Sequence, residues 1–352
     1  MGNWEKNVRK VVPYTPGEQP DDAEMIKLNT NENPYPPAPG VQRRMNALAA
    51  EELRLYPDPA AGQLTAALAE YYGLEKDQVF VGVGSDDVLA MCFLTFFNSS
   101  RPILFPDITY SFYDVWANLF GIPYRRPALD DQFEIRPEDY FTDNGGIIFP
   151  NPNAPTGAVL ELDQIEEIIR RNPDVVVIVD EAYVDFGAVS ALPLIEKYDN
   201  LLVVQTFSKS RSLAGLRIGY AMGDPKLIRY LNDVKYSFNS YTMNRPALEL
   251  GAEALKDEAY FRETVEKIVC TREWTKERLK ELGFHFGDSQ ANFVFAAHES
   301  CPAEELFEAL RKAHIYVRYF RTDRISNYLR ITIGTQEEME RLIGFLKNYL
   351  DR

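Results

Sequence analysis

The chain reads as an α/β protein, with a mostly parallel sheet sandwiched by helices and a smaller α+β region at its C-terminal end. Two observations predict this. Short apolar runs at 103–105, 147–149, 175–179 and 201–204 alternate with helical patterns at 110–119 and 162–171, the repeat that builds a parallel sheet covered on both faces. From about Tyr241 the pattern changes to long amphipathic helices at 246–255 and 260–282. Short strands at 293–296 and 328–333 follow, with a helix at 303–313 between them and a last helix at 337–350. The expected division is an N-terminal arm over 1–28 that packs with the small domain, a large domain over 29–245 and a small domain over 246–352. A chain of 352 residues is long enough for both domains.

Composition removes several classes of function. A net charge of -15 argues against a nucleic-acid or anionic-membrane partner, because either favours a clustered basic surface. A few arginines can still build a local pocket for a small anion. Cys92, Cys270 and Cys301 are far apart and form no CxxC pair, which points to reduced thiols in a cytoplasmic enzyme. His285, His298 and His314 do not cluster with the cysteines, so no His/Cys metal site is expected. The first residues carry no apolar leader core, and no run has the length of a membrane span.

Taken in order, residues 1–40 are rich in proline, asparagine and charge and read as an ordered arm or a linker. A helix is expected over 42–53, then a break at Tyr56-Pro57-Asp58-Pro59 and a second helix over 63–72. Tyr56 leans toward a packing role on these grounds. The stretch Val79-Phe80-Val81-Gly82-Val83-Gly84-Ser85-Asp86-Asp87 is a strand that turns on glycine into an apolar helix, an arrangement able to bind an anion. It is no dinucleotide fingerprint, since Asp87 occupies the third glycine position. Taken alone the motif is weak, and a plain strand-to-helix turn capped by Ser85 or Asp86 is the commoner origin of such a stretch.

Each later strand also ends in a polar turn, where open α/β sheets place their ligands. Phe149 leads into Pro150-Asn151-Pro152-Asn153-Ala154-Pro155-Thr156-Gly157, and Val179 into Asp180-Glu181-Ala182-Tyr183. A carboxylate directly after five apolar residues sits in a low-dielectric crevice and needs a cationic partner, and a protonated ring nitrogen would serve. The run 201–204 leads into Thr206-Phe207-Ser208-Lys209, then Ala214-Gly215-Leu216-Arg217. A lysine in that crevice is partly desolvated and can form a Schiff base with an aldehyde. Arg217 offers a two-pronged donor for a phosphate. In the C-terminal region Arg318 and Arg330 lie among strand residues, where an arginine either faces water or meets an anion.

Together, Asp180-x-x-Tyr183, Ser208-Lys209 ahead of Ala214-Gly215-x-Arg217, and the Asn-Pro-x-x-Pro-Thr-Gly loop resemble the fold-type-I pyridoxal-phosphate aminotransferases over essentially the whole chain. Within them, Leu28-Asn29-Thr30-Asn31-Glu32-Asn33-Pro34, Tyr56-Pro57-Asp58-Pro59, Gly82-x-Gly84-Ser85-Asp86 and Leu329-Arg330-Ile331-Thr332-Ile333-Gly334 resemble the histidinol-phosphate aminotransferase family.

The resemblance implies pyridoxal 5'-phosphate as cofactor. Lys209 would bind it covalently and move the substrate proton, Asp180 would pair with its ring nitrogen and Tyr183 would donate to its phenolic oxygen. Tyr110 would lie on the ring face. The phosphate would take the backbone after Gly84, at Ser85 and Asp86, with Ser208 and Arg217. Tyr56 would reach the cofactor of a neighbouring subunit, making a homodimer part of the site. Tyr14, Arg318 and Arg330 would hold the anionic end of the small-molecule substrates, an amino phosphate donor and a 2-oxo acid acceptor. The family asparagine before Pro-Thr-Gly is replaced by Ala154, and Asn153 is carried as the substitute donor. The alternatives on the same fold are an aromatic-amino-acid aminotransferase and a threonine-phosphate decarboxylase.

Overall fold

The computed structural model describes residues 3–21 and 24–351. In chain order the strands are β1 (Ile26–Leu28), β2 (Val79–Val83), β3 (Ile103–Leu104), β4 (Tyr124–Arg125), β5 (Ile147–Pro150), β6 (Val177–Asp180), β7 (Leu201–Thr206), β8 (Ile218–Gly223), β9 (Phe284–Phe286), β10 (Phe293–His298), β11 (Ile315–Tyr319) and β12 (Leu329–Thr332). The main helices are α1 (Pro39–Asn46), α2 (Gly62–Tyr72), α3 (Gly84–Phe96), α4 (Phe112–Phe120), α5 (Leu162–Arg171), α6 (Pro225–Phe238), α7 (Arg245–Ala254), α8 (Glu258–Glu281), α9 (Ala303–Lys312) and α10 (Gln336–Leu350).

Seven strands form the large sheet in the order β2-β8-β7-β6-β5-β3-β4. The pairs from β4 through β7 are parallel, and β8 runs antiparallel to both of its neighbours. The central strands are buried on both faces, which explains their unbroken apolar runs. Val177, Val179 and Val203 join one core cluster, while Ile178, Leu202 and Val204 join the cluster on the other side. Register aligns Pro150 with Asp180 and Asp180 with Val204, so the ends of β5, β6 and β7 open side by side on one edge.

Local signals explain the helix boundaries. The α5 helix buries Ile165, Ile168 and Ile169 on one stripe, and a capping box between Glu161 and Gln164 starts it. Gly121 in a left-handed conformation ends α4. The expected helix over 42–53 is not continuous: α1 stops at Asn46, and a separate 3-10 turn spans Ala50–Arg54. Leu48 packs on the core between them while Leu53 is exposed, so the apolar positions do not share one helical stripe.

Five strands form the second sheet, ordered β1-β11-β12-β10-β9. Its edge strand β1 comes from the far end of the chain and pairs in parallel with β11, Ile26 opposite Ile315. The segment after β1, residues 29–33, is thereby carried from the small sheet across to the edge where β6 and β7 end. A cluster of Ile108, Leu129, Phe295 and Ile325 joins the two sheets, and Arg324 Nη1 donates to Asp107 Oδ2 at 2.7 Å across the same seam.

Candidate active site

The ends of β2, β5, β6 and β7 surround a cavity lined by Ser85, Asp86, Tyr110, Pro150, Ala154, Asp180, Ala182, Tyr183, Thr206, Ser208, Lys209 and Arg217. Two larger surface clefts, one beside Lys76 and Arg229 and one beside Glu134 and His285, share none of these residues.

Asp180 closes the bottom of the cavity. Its Oδ2 accepts the Tyr113 hydroxyl at 2.9 Å and its Oδ1 accepts the Ala182 N–H at 3.3 Å. Burial still outweighs both bonds and pushes this carboxyl from the ordinary 3.8 up to about 6. Among the described residues no cation pairs with it directly. A buried acid in this condition suits a ligand that presents a protonated nitrogen. Tyr113, completely buried on α4, was not foreseen in the sequence, since its role depends on a residue 67 positions away.

Lys209 follows β7 and points its Nζ at the Thr30 carbonyl, 3.1 Å away, and over the Tyr183 ring at 5.8 Å from its centre. Tyr183 is 8% exposed and accepts a 2.9 Å hydrogen bond from Asn31 Nδ2. Lys209 and Asp180 thus line one cavity from adjacent strands.

The anion cup forms where β2 passes directly into α3. Val83 provides no side-chain cap, so the first-turn amides of this 13-residue helix point outward without an intrahelical partner. The capping alternative for Ser85 and Asp86 is therefore not realised. Asp86 instead accepts from Tyr110 at 2.7 Å and from Arg217 at 2.9 Å. Arg217 also donates to Ser208 Oγ at 3.4 Å. Gly84 has φ +83°, and a Cβ there would overlap the Arg217 guanidinium. A Cβ on Gly219 would collide with the Gly84–Ser85 peptide, a second glycine requirement that sequence reading missed because it arises from the antiparallel β2–β8 pairing.

Arg318 and Arg330 face each other across the β11–β12 pair. Two like charges in register repel unless an anion lies between them. Neither has an acidic partner among the described residues. Arg330 donates to the Asn29 carbonyl at 2.9 Å and leaves its buried Nε unpartnered. Burial, followed by the Arg318 charge, lowers its pKa. Arg318 donates to the carbonyls of Thr15 and Pro16 at 3.2 and 3.4 Å. Tyr14 stacks on Phe112 at 4.1 Å and tilts against Tyr110.

Asn153 and Tyr56, like Tyr14, Arg318 and Arg330, are not among the residues that line the cavity. Asn153 does not reach the cavity: its amide donates to the Ile108 carbonyl and Thr156 Oγ1, and its oxygen accepts from Thr109. Its hydrogen bonds tie the loop to the turn after β3, and Ala154 takes the cavity wall instead. Tyr56 is 80% exposed and tilts against Tyr241 with ring centres 4.6 Å apart, outside the cavity of its own chain, as a residue expected to serve a neighbouring subunit would be.

A buried acid, a lysine amine, an aromatic wall and a helix-terminus cup suit a flat, phosphorylated heteroaromatic with a basic ring nitrogen. Fold and site thus define an enzyme of the carbonyl–amine type. The chain belongs to the aminotransferase class I and II family, whose model matches residues 23–346. It is 53% identical over 348 residues to the histidinol-phosphate aminotransferase of Lactococcus lactis subsp. cremoris, covering 99% of this chain and 98% of that one. It is 52% identical over 340 residues to the histidinol-phosphate aminotransferase of Brachyspira hyodysenteriae, covering 96% of each.

Among solved structures, the histidinol-phosphate aminotransferase of Sinorhizobium meliloti in complex with pyridoxal-5'-phosphate has a TM-score of 0.84 at 23% identity, covering 92% of this chain and 90% of that one. The L-threonine-O-3-phosphate decarboxylase of Porphyromonas gingivalis has a TM-score of 0.77 at 20% identity, covering 92% and 99%. Likeness at this level establishes the fold and does not choose between reactions.

Proposed function

We propose that this enzyme transfers the amino group of L-histidinol phosphate to 2-oxoglutarate, giving imidazole acetol phosphate and L-glutamate in histidine biosynthesis, by a ping-pong reaction on pyridoxal 5'-phosphate. The observation that carries the substrate choice is the pair Arg318 and Arg330, unneutralised by any described acid, in a chain about half identical to curated histidinol-phosphate aminotransferases along its whole length.

When bound, pyridoxal phosphate supplies an electron-accepting ring that carries the amino group between the two substrates. Lys209 would hold it covalently, with Asp180 on its ring nitrogen, Tyr183 on its phenolic oxygen and Tyr110 against its face. Ser208, Arg217 and the first-turn amides at Ser85 and Asp86, following Gly84, would hold its phosphate. Asp180 would keep the ring nitrogen protonated, and Tyr113 holds Asp180 in place. Lys209 would act as the general base that takes the proton from the substrate α-carbon and as the general acid that returns one in the reverse direction. Arg330, Arg318 and Tyr14 bind the phosphate of the donor and a carboxylate of the acceptor, which orients the α-carbon toward Lys209. The division into arm, large domain and small domain follows the same reading: the small sheet carries the arginines and the large sheet carries the cofactor groups.

A homodimer is part of this proposal. Tyr56 and Tyr241 stand exposed beside Leu53, Leu55 and Phe238, an apolar surface that a second copy would cover. Tyr56 would then reach the partner's cofactor phosphate. A cytoplasmic site of action accords with free Cys92, Cys270 and Cys301 and with the absence, among the described residues, of a helix long and apolar enough to cross a membrane.

Rates of the first half-reaction with histidinol phosphate, phenylalanine and threonine phosphate test the assignment. The first is expected to be fastest. A clear preference for phenylalanine would identify an aromatic-amino-acid enzyme, and carbon dioxide release from threonine phosphate would identify a decarboxylase.

A further inference from the structure

Asn31 is 1% exposed and adopts a left-handed backbone, φ 57°, in the segment that crosses from β1 to Lys209. Four hydrogen bonds fix it there. Its N–H donates to Thr332 Oγ1 at 3.0 Å, and its carbonyl accepts from Asn292 Nδ2 at 3.0 Å. Its Oδ1 accepts the Thr332 hydroxyl at 2.9 Å, and its Nδ2 donates to the Tyr183 hydroxyl oxygen at 2.9 Å.

The direction of the last bond follows from counting protons. Thr332 Oγ1 already accepts the Asn31 N–H, and the only proton it has to give goes to Asn31 Oδ1. Nδ2 is therefore the end of the amide that faces Tyr183. A phenol has one proton, and Tyr183 does not use it toward Asn31. Among the described residues no acceptor takes that proton. Tyr183 and Ala154 line the same cavity, and alanine brings no donor to it.

We propose that Asn31 is a positioning residue that acts through Tyr183: by donating to the phenol oxygen, it turns the Tyr183 proton into the cavity as the donor to the cofactor's phenolic oxygen. This rests on the function proposed above. The donated bond also polarises the phenol and makes it a stronger donor. Thr332, two residues beyond Arg330 on β12, ties this alignment to the small sheet that carries the substrate arginines.

The test is a spectrophotometric pH titration of the lysine–cofactor linkage in the loaded enzyme. A donor at the phenolic oxygen favours negative charge there and lowers the pH at which the linkage loses its proton. In Asn31→Asp the carboxylate can only accept, so it takes the Tyr183 proton away from the cofactor. The midpoint is expected to rise by about one to two pH units, close to that of Tyr183→Phe. Asn31→Gly keeps the left-handed backbone but removes the amide, and should raise the midpoint by a smaller amount. Adding Ala154→Asn to Asn31→Asp puts a donor back on the wall and should return the midpoint toward wild type.

Wild-type midpoints in both Asn31 variants, beside a shifted Tyr183→Phe, would overturn this role and leave the function standing. If Asn31→Asp does not fold, Asn31→Gly decides alone. A wild-type protein with no visible cofactor absorbance would overturn the function and this role together.

Discussion

Replacing Asp180 by asparagine should stabilise the cofactor-free protein while destroying its activity. Burial raises this carboxyl from 3.8 to about 6. Folding therefore favours its protonated form, so the cost of ionising it is absent well below 3.8, grows as pH rises through the window from 3.8 to about 6, and is complete above it. A rise of that size corresponds to about 3 kcal/mol at pH 8 and about half of that at pH 5. Asparagine has nearly the same shape and no charge, so it escapes the penalty, less a pH-independent cost for disturbing the bonds from Tyr113 and Ala182. Urea unfolding of both cofactor-free proteins at pH 5 and pH 8, at one protein concentration, separates the two terms. The stability difference between variant and wild type should move in favour of asparagine by about 1–2 kcal/mol from pH 5 to pH 8. An unchanged difference would refute the claim that Asp180 is a strained acid. With cofactor present, losing the partner of the ring nitrogen should lower turnover by at least ~100-fold, since a broken buried pair costs about 3–5 kcal/mol.

Other parts of the site give separate outcomes. Arg330→Ala should raise KM for histidinol phosphate by about 10- to 100-fold, the worth of a charge-assisted contact, with the cofactor spectrum unchanged. A Michaelis–Menten comparison checks it, and weakened cofactor binding instead would move Arg330 to the other end of the site. Gly219→Ala should push the Gly84–Ser85 peptide aside and weaken cofactor affinity by tenfold or more, measured by fluorescence titration of the stripped enzyme. Cys92 is buried, which pushes its thiol far above the ordinary range, so in the native protein it should react with a disulfide reagent much more slowly than exposed Cys270.

The parts of this site that were legible in the sequence are those whose role follows from a strand ending in a polar turn. Lys209 after β7, Asp180 at the end of β6 and Gly84 after β2 stand in such turns, and the apolar runs before them reveal the sheet. The unforeseen parts depend on distant pairings. Tyr113 meets Asp180, Asn31 meets Thr332 across a separation of 301 residues, and β1 joins a sheet built from the other end of the chain. Gly219 matters only because β8 runs against β2, and its own neighbours in sequence do not reveal that. Asn153 does not serve as a cavity donor because its amide bonds Ile108 and Thr109, which lie after β3 and about 45 positions away, as well as Thr156 in its own loop, a pairing no spacing rule discloses. The break after Asn46 carries no proline or glycine, so the sequence holds no local stop signal for it.

Borohydride reduction of the cofactor-loaded enzyme, followed by peptide mapping, addresses the arrangement most directly, because it fixes the cofactor to the amine that holds it. The adduct should sit on Lys209, one per chain, and Lys209→Ala should show neither adduct nor visible absorbance. Labelling at another lysine, such as Lys235, or an unaltered spectrum in Lys209→Ala, would contradict the account.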